Sequence, residues 1–125
     1  MEIADRPLLA MPIAYALCLS RKDYKKALTH FDIKSKSPWL NPGKNATAHT
    51  FENDQKTVCI VCLKLQKDKS QSQIYGLLVH EGVHIWQEVR AMLGEEKPST
   101  EFEAYAIQGI SQELIEMYEI MTGRR

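Results

Sequence analysis

A chain of 125 residues is long enough for one compact domain and too short for two sizeable cores, so we expect a single domain over residues 1–125. Hydrophobic residues make up 44% and charged residues 26%, which is typical of folded globular proteins and unlike disordered chains. Sixteen Lys and Arg balance sixteen Asp and Glu, and this lack of a basic excess speaks against a nucleic-acid partner.

Apolar segments and cysteines indicate the compartment. No apolar run reaches the ~18 residues that a membrane span requires, because Pro12 interrupts the apolar stretch 8–19. Asp5 and Arg6 precede that stretch in place of the basic region of a signal peptide. The three cysteines, an odd number, fit a reducing compartment better than a disulfide framework. We therefore expect a cytoplasmic protein without a membrane partner.

The first predicted elements are a strand and a helix. Large apolar side chains alternate with small residues along residues 13–19, which predicts a strand buried on at least one face. Ser20 then offers an N-cap for a helix over residues 21–31. Residues 35–44 contain two prolines and a glycine and predict a loop.

Two further strands follow the loop. A polar turn at 52–55 separates residues 46–51 from residues 57–65, and the second segment is short, mostly apolar and rich in β-branched residues. Its Cys59 and Cys62 form a C-x-x-C pair, but an odd offset on a strand points the two side chains to opposite faces. We expect two buried small hydrophobic residues there, without a redox or metal role.

Two long helices are predicted next. Ser70 and Gln73 form a capping box, and Gly94 a stop, for a helix over residues 72–93 that is apolar on several sides and should lie inside the domain. A last helix is expected over residues 100–122. The order strand, helix, two strands, two helices predicts an α+β fold. A small sheet containing antiparallel strands should pack on the two long helices.

The motif with the most chemical content lies in the middle of the first long helix. His80 and His84 stand four residues apart in an H-E-x-x-H pattern, so both imidazoles lie on one helix face, one turn apart. Imidazoles placed in this way can share one zinc ion, and Glu81 can act as general base toward a water molecule. The competing interpretation is two ordinary helix histidines beside a solvated glutamate. The cost of burying such groups without a ligand in an apolar helix argues against it.

Gly82, inside the motif, is unfavourable in a helix interior by ~1 kcal/mol. It indicates either a close approach by another backbone, such as a strand on the substrate side, or simple tolerance of a glycine.

A catalytic zinc site needs a third protein ligand, and two carboxylates near the start of the last helix can supply it. Glu103 is in line with the apolar side chains of that helix, which points it inward, but it also completes a T-x-x-E capping box with Thr100. Glu101 shares its face with Ala104, a small residue that lets two helices approach closely. These arguments leave both carboxylates open.

The H-E-x-x-H helix followed by Glu101-x-x-Ala-Tyr resembles the gluzincin branch of zinc peptidases, including small H-E-x-x-H proteins encoded by phages and prophages. In that branch the third ligand is a glutamate on the helix after the motif helix, and the Glu-x-x-Ala register implies Glu101. The eighteen residues between His84 and Glu103 instead match an aminopeptidase-type spacing. Tyr105 stands where the family places an acidic or amide residue. The resemblance covers mainly residues 57–110.

The motif and the resemblance together predict a zinc-dependent metallopeptidase with a minimal zincin-like domain. His80, His84 and Glu101 are expected to hold zinc, with Glu81 as general base in the hydrolysis of a peptide or protein substrate. The resemblance further implies that residues 57–65, the strand before the motif helix, form a cleft edge that pairs with extended substrate. The alternative is a non-catalytic, zinc-stabilised module that binds a protein partner, such as a phage-derived regulatory or assembly protein.

Overall fold

The structure, a computed structural model, describes residues 2–5, 13–53, 56–94 and 99–124. Over these residues the expected α+β class is confirmed, with four strands in one mixed sheet and three helices. The chain divides into two compact units, Met1–Lys67 and Asp68–Arg125. That the chain forms one domain stays a prediction.

The first unit holds the sheet and a short helix. In chain order its elements are β1 (Glu2–Asp5), β2 (Ile13–Cys18), α1 (Arg21–His30), β3 (Ala46–Asn53) and β4 (Lys56–Leu63). The strand order is β1-β2-β4-β3, with β2 and β4 parallel and the two outer pairs antiparallel. The sequence did not predict β1, because its four residues, Glu-Ile-Ala-Asp, carry one large apolar side chain and hence no periodic signal.

The prediction that the strand before the motif helix forms a cleft edge is wrong. β4 is hydrogen-bonded to β2 on one side and to β3 on the other, so it has no unpaired edge to offer an extended peptide. Its nearly continuous apolar sequence has a different cause: seven of its eight residues, Thr57 through Leu63, are buried. Such runs are typical of central strands that are covered on both faces.

Helix α1 packs on one face of the sheet. Its N-terminus is fixed by Ser20, whose side chain accepts a hydrogen bond from the backbone N of Asp23, as the sequence predicts. Small side chains on β2 let the helix approach, and the resulting cluster contains Ala14, Ala16, Cys18, Tyr24, Ala27, Phe31, Val58, Ile60 and Cys62. Cys59 is buried outside this cluster, which confirms that the C-x-x-C side chains point to opposite faces.

The second unit is a pair of antiparallel helices, α2 (Gln71–Leu93) and α3 (Thr100–Met121). Ser70 and Gln73 form the predicted capping box of α2, and Gly94 ends it in the left-handed conformation at φ 69°. The N-cap of α3 is Ser99, whose side chain accepts from the backbone N of Phe102. The predicted capping box between Thr100 and Glu103 is therefore wrong. Within the described residues, no helix has the length and apolar content to cross a bilayer.

Candidate metal centre

The two motif histidines lie together on the exposed side of α2. Their Nε2 atoms are 3.2 Å apart, and their rings meet edge to face with centroids separated by 4.8 Å. Two nitrogens bound to a tetrahedral zinc ion at ~2.0–2.1 Å are about 3.3 Å apart. The helix therefore already holds two imidazole nitrogens at the separation that adjacent zinc ligands require. A direct hydrogen bond between two neutral imidazoles has the same geometry.

Gln87, one turn beyond His84, orients the second imidazole. Its Oε1 atom lies 3.0 Å from Nδ1 of His84 and can only accept, so Nδ1 carries the hydrogen. In neutral His84 the lone pair is then on Nε2, the atom that faces His80. Metal-binding histidines are usually fixed in this way by an acceptor on the far ring nitrogen. The sequence analysis missed Gln87, although a polar residue at i+3 from a candidate ligand is a usable signal.

Glu81 lies on a different side of the helix and is buried, with 5% of its surface exposed. It belongs to a stripe of buried positions along α2 that also includes Leu78 and Ile85. Its Oε2 atom has no hydrogen-bond partner among the described residues. Burial raises the pKa of Glu81 above its ordinary value, and the neighbouring His84 and His80 oppose that rise. The carboxyl group thus has a raised pKa and an uncommitted oxygen, but it faces inward while the two imidazoles face outward.

Gly82 allows the close approach of the two helices. A Cβ added to Gly82 would lie 2.9 Å from Oγ of Ser111 and 3.6 Å from its Cα. A close approach was one of the two sequence interpretations, but the approaching backbone is helix α3 and not a strand. Ser111 is buried, and its Oγ has no hydrogen-bond partner in the described part of the chain. The inner side of the motif therefore contacts the buried hydroxyl of Ser111 at Gly82, and its outer side carries the imidazole pair.

The two candidate third ligands differ in their surroundings. Oε2 of Glu103 accepts a hydrogen bond of 2.7 Å from Nε1 of Trp86, which places Glu103 level with a residue two positions beyond His84. Two residues correspond to about 200° around the helix, so this hydrogen bond lies on the far side of α2 from the exposed imidazole of His84. Glu101 lies in the first turn of α3 and is exposed. Residues 2–5, 13–53, 56–94 and 99–124 contain no group of three or more His, Cys, Asp or Glu side chains that could hold a metal ion. The structure therefore brings two of the three predicted ligands together and leaves the third apart.

The remaining histidines belong to the first unit. His49 of β3 donates through Nε2 to the carbonyl oxygen of Trp39 at 3.0 Å and stacks against Phe51. His30 is exposed in the last turn of α1. Comparison of the chain with protein-family models, curated proteins and solved structures finds no match.

Proposed function

We propose that this protein is a zinc-dependent metallopeptidase whose metal is held by His80, His84 and a glutamate of α3, with Glu81 as general base. The observation that carries the proposal is the 3.2 Å separation of the two Nε2 atoms, with Nδ1 of His84 held by Gln87. The donor set suits zinc, which imidazole and carboxylate ligands bind well. The gluzincin-like, phage-type character of the chain is part of the same proposal.

The chain's own residues divide the work. The two imidazoles would bind the metal ion from one face of α2. Gln87 keeps His84 in the ring tautomer with a free lone pair on Nε2. In this proposal the Glu81 carboxylate, which is buried in the structure, would turn toward the imidazoles when substrate binds, accept a proton from the attacking water and return it to the leaving amine. Zinc, when bound, supplies Lewis acidity and lowers the pKa of a coordinated water toward ~7.

Glu101 is the proposed third ligand. The carboxylate of Glu103 is engaged by Trp86, whereas the side chain of Glu101 is exposed and makes no hydrogen bond among the described residues. Glu103 is the alternative, because it already contacts α2 through Trp86, although Trp86 and His84 point to nearly opposite sides of that helix. In either case the carboxylate has to be recruited when the metal binds, since the described residues do not assemble it beforehand.

Metal binding is tested first, on full-length protein stripped with a chelator and titrated with zinc in a calorimeter. We expect one zinc ion per chain, with binding abolished in His80→Ala and in His84→Ala. His30→Ala is the matched control, because it removes an exposed helical histidine of the first unit, and it should leave binding unchanged. Glu101→Gln and Glu103→Gln, measured side by side, identify the third ligand as the variant that loses about tenfold or more in affinity. If the native chain does not bind zinc, a hydrogen bond between the two imidazoles explains their close contact and the metal site is excluded.

Catalysis is tested separately with Glu81→Gln. A mixture of unstructured peptides is incubated with the zinc-loaded protein, and cleavage is followed by mass spectrometry. We expect Glu81→Gln to retain zinc and to lose about 10²- to 10⁴-fold in cleavage rate, the usual contribution of a general base. Cleavage that persists in this variant at the native rate would show that Glu81 has no such role.

The second candidate function is the zinc-stabilised binding module. The exposure of both imidazoles favours it, together with the lack of an assembled third ligand in the described part of the chain, because such a pair can take a further ligand from a partner protein. Zinc binding without any peptide cleavage, in native protein and in Glu81→Gln alike, would select this function.

We also propose a cytoplasmic location and a peptide or protein partner. The thiol of Cys18 is free and buried in the sheet, which fits a reducing compartment.

A further inference from the structure

A second candidate site lies in the first unit, between α1 and the loop that follows it. The cavity there has a volume of about 330 Å³. Small-molecule sites usually have volumes of about 300–1,000 Å³, so this cavity suits a compact ligand. The apolar part of its wall is formed by Tyr24, Leu28, Pro38 and Trp39.

Hydrogen bonds fix two parts of the loop that forms the cavity wall, Trp39 and residues 35–37. The carbonyl oxygen of Trp39 accepts from His49 of β3, which ties the indole-bearing residue to the sheet. Oγ of Ser35 accepts from the backbone N of Ser37 at 3.1 Å, and this turn carries Lys36 between them. Tyr24 is buried against the sheet as part of the α1 cluster. The cavity is therefore preformed by packed and hydrogen-bonded residues.

The charged side chains that line the cavity are positive. Three cations line the cavity: Arg21 and Lys25, one turn apart on α1, and Lys36 from the opposite loop. No acidic side chain is among the described residues that line it. The nearby carboxylate of Asp23 is turned to the backbone N of Leu19, from which it accepts at 3.0 Å. Positive charges therefore lie on two sides of the cavity, although the chain as a whole has no net charge.

We propose that this cavity binds a small phosphorylated aromatic compound of mononucleotide size. Arg21, Lys25 and Lys36 receive the phosphate through charge-assisted hydrogen bonds, and the aromatic ring lies against the indole of Trp39. The cavity has room for one nucleotide unit, and binding of a longer nucleic acid is a separate outcome of the test. The site is independent of the histidine motif.

Adenosine 5′-monophosphate is the probe, titrated into full-length protein in a calorimeter. We expect a dissociation constant of about 10 µM to 1 mM, which is the affinity that molecules of this size typically reach. Adenosine and inorganic phosphate, each carrying half of the recognised chemistry, should bind at least about tenfold more weakly.

Arg21 and Lys25 are exposed, whereas Trp39 is half-exposed and packs against the α1 cluster, so the melting temperature of each variant is measured as well. Arg21→Gln combined with Lys25→Gln should weaken binding about tenfold or more, and Trp39→Leu should do the same through lost stacking. Lys22→Gln is the matched control: it removes the same charge from the same exposed helix at a position that does not line the cavity. It should bind like the native chain.

Four results would overturn the proposal. Absence of saturable binding at about 5 mM probe shows that the cavity has no such ligand. Equal weakening by Lys22→Gln and by the double variant shows nonspecific attraction. Adenosine or phosphate binding as tightly as the probe shows that the two halves are not recognised together. A single-stranded oligonucleotide binding about a hundredfold more tightly than the probe assigns the surface to a polymer.

Discussion

At the scale of single residues, Glu81 combines a buried carboxyl group with an oxygen that has no hydrogen-bond partner among the described residues. Transfer of a charged group away from water costs free energy unless it is paired. Enzymes commonly accept such a cost where a side chain has to be ready for proton transfer. The same group should therefore be visible in the stability of the protein and in its proposed chemistry.

The pH dependence of stability follows from the sign of the pKa shift. Burial raises the pKa of Glu81 above its ordinary 4.5, with His84 and His80 opposing, so the folded state holds the proton more tightly than the unfolded chain. The free energy of unfolding contributed by Glu81 is then greatest below pH 4.5 and is lost as the pH rises through the folded-state pKa. In metal-free protein, Glu81→Gln should raise the free energy of unfolding at pH 7 by about 1 kcal/mol and leave it nearly unchanged at pH 4.

Urea denaturation at the two pH values measures this difference. Glu101→Gln is the control, because it changes an exposed carboxylate in the same pair of helices. Loss of its favourable interaction with the N-terminus of α3 should lower the free energy of unfolding at pH 7 by less than about 1 kcal/mol, opposite in sign to the effect at Glu81. Destabilisation by Glu81→Gln at pH 7 would mean that the charged carboxylate is favourably paired in the folded protein.

At the scale of elements, the two long helices are held together by contacts spread along their length. Tyr75 donates to Oε2 of Glu119 at 3.0 Å near one end, and Trp86 donates to Glu103 at 2.7 Å near the other. Gly82 and Ser111 meet between these two hydrogen bonds. The helices thus approach closely at the H-E-x-x-H motif, because a residue without a side chain lies opposite a small one.

Glycine substitutions test this approach. Gly109→Ala in α3 should stabilise the protein by about 1 kcal/mol through helix propensity, because its added Cβ would meet nothing within 4 Å. Gly82→Ala should lose this gain or become destabilising, because its Cβ would lie 2.9 Å from Oγ of Ser111. In a Ser111→Ala background the gain of about 1 kcal/mol should return, since the next contacts are ordinary van der Waals distances.

Thermal and urea unfolding are measured for four variants: Gly109→Ala, Gly82→Ala, Ser111→Ala and the double variant that combines Gly82→Ala with Ser111→Ala. If Gly82→Ala alone stabilises the protein as much as Gly109→Ala does, then the helices do not meet closely at the motif.

At the scale of the whole molecule, the two compact units raise the question of cooperativity. A pair of helices has little apolar surface to bury by itself, so we expect α2 and α3 to depend on the rest of the chain for stability. Native-state hydrogen exchange measures this directly. The slowest amides of β4 and of α2 should exchange with the same free energy and the same dependence on urea. A lower value for α2 would show that Asp68–Arg125 unfolds separately and that the single-domain prediction is wrong.

The boundaries of helices and of most strands could be predicted to within about two residues. Caps explain this success for helices: Ser20, Ser70 and Gly94 act on the residues next to them, so their signal is local. The run of apolar residues in β4 is also a local signal, and it predicted that strand. Strand β1 could not be found in this way, because its place beside β2 depends on backbone pairing and not on its own side chains.

The candidate site shows the same division. The sequence by itself determined that His80 and His84 share one helix face, because 3.6 residues per turn brings i and i+4 together in any helix. Only the tertiary structure decided that Gly82 meets α3, that Trp86 engages Glu103 and that β4 is a central strand. The first kind of fact follows from distances of a few residues along the chain. The second depends on residues far apart in sequence, whose meeting is set by packing and strand pairing that no local pattern contains.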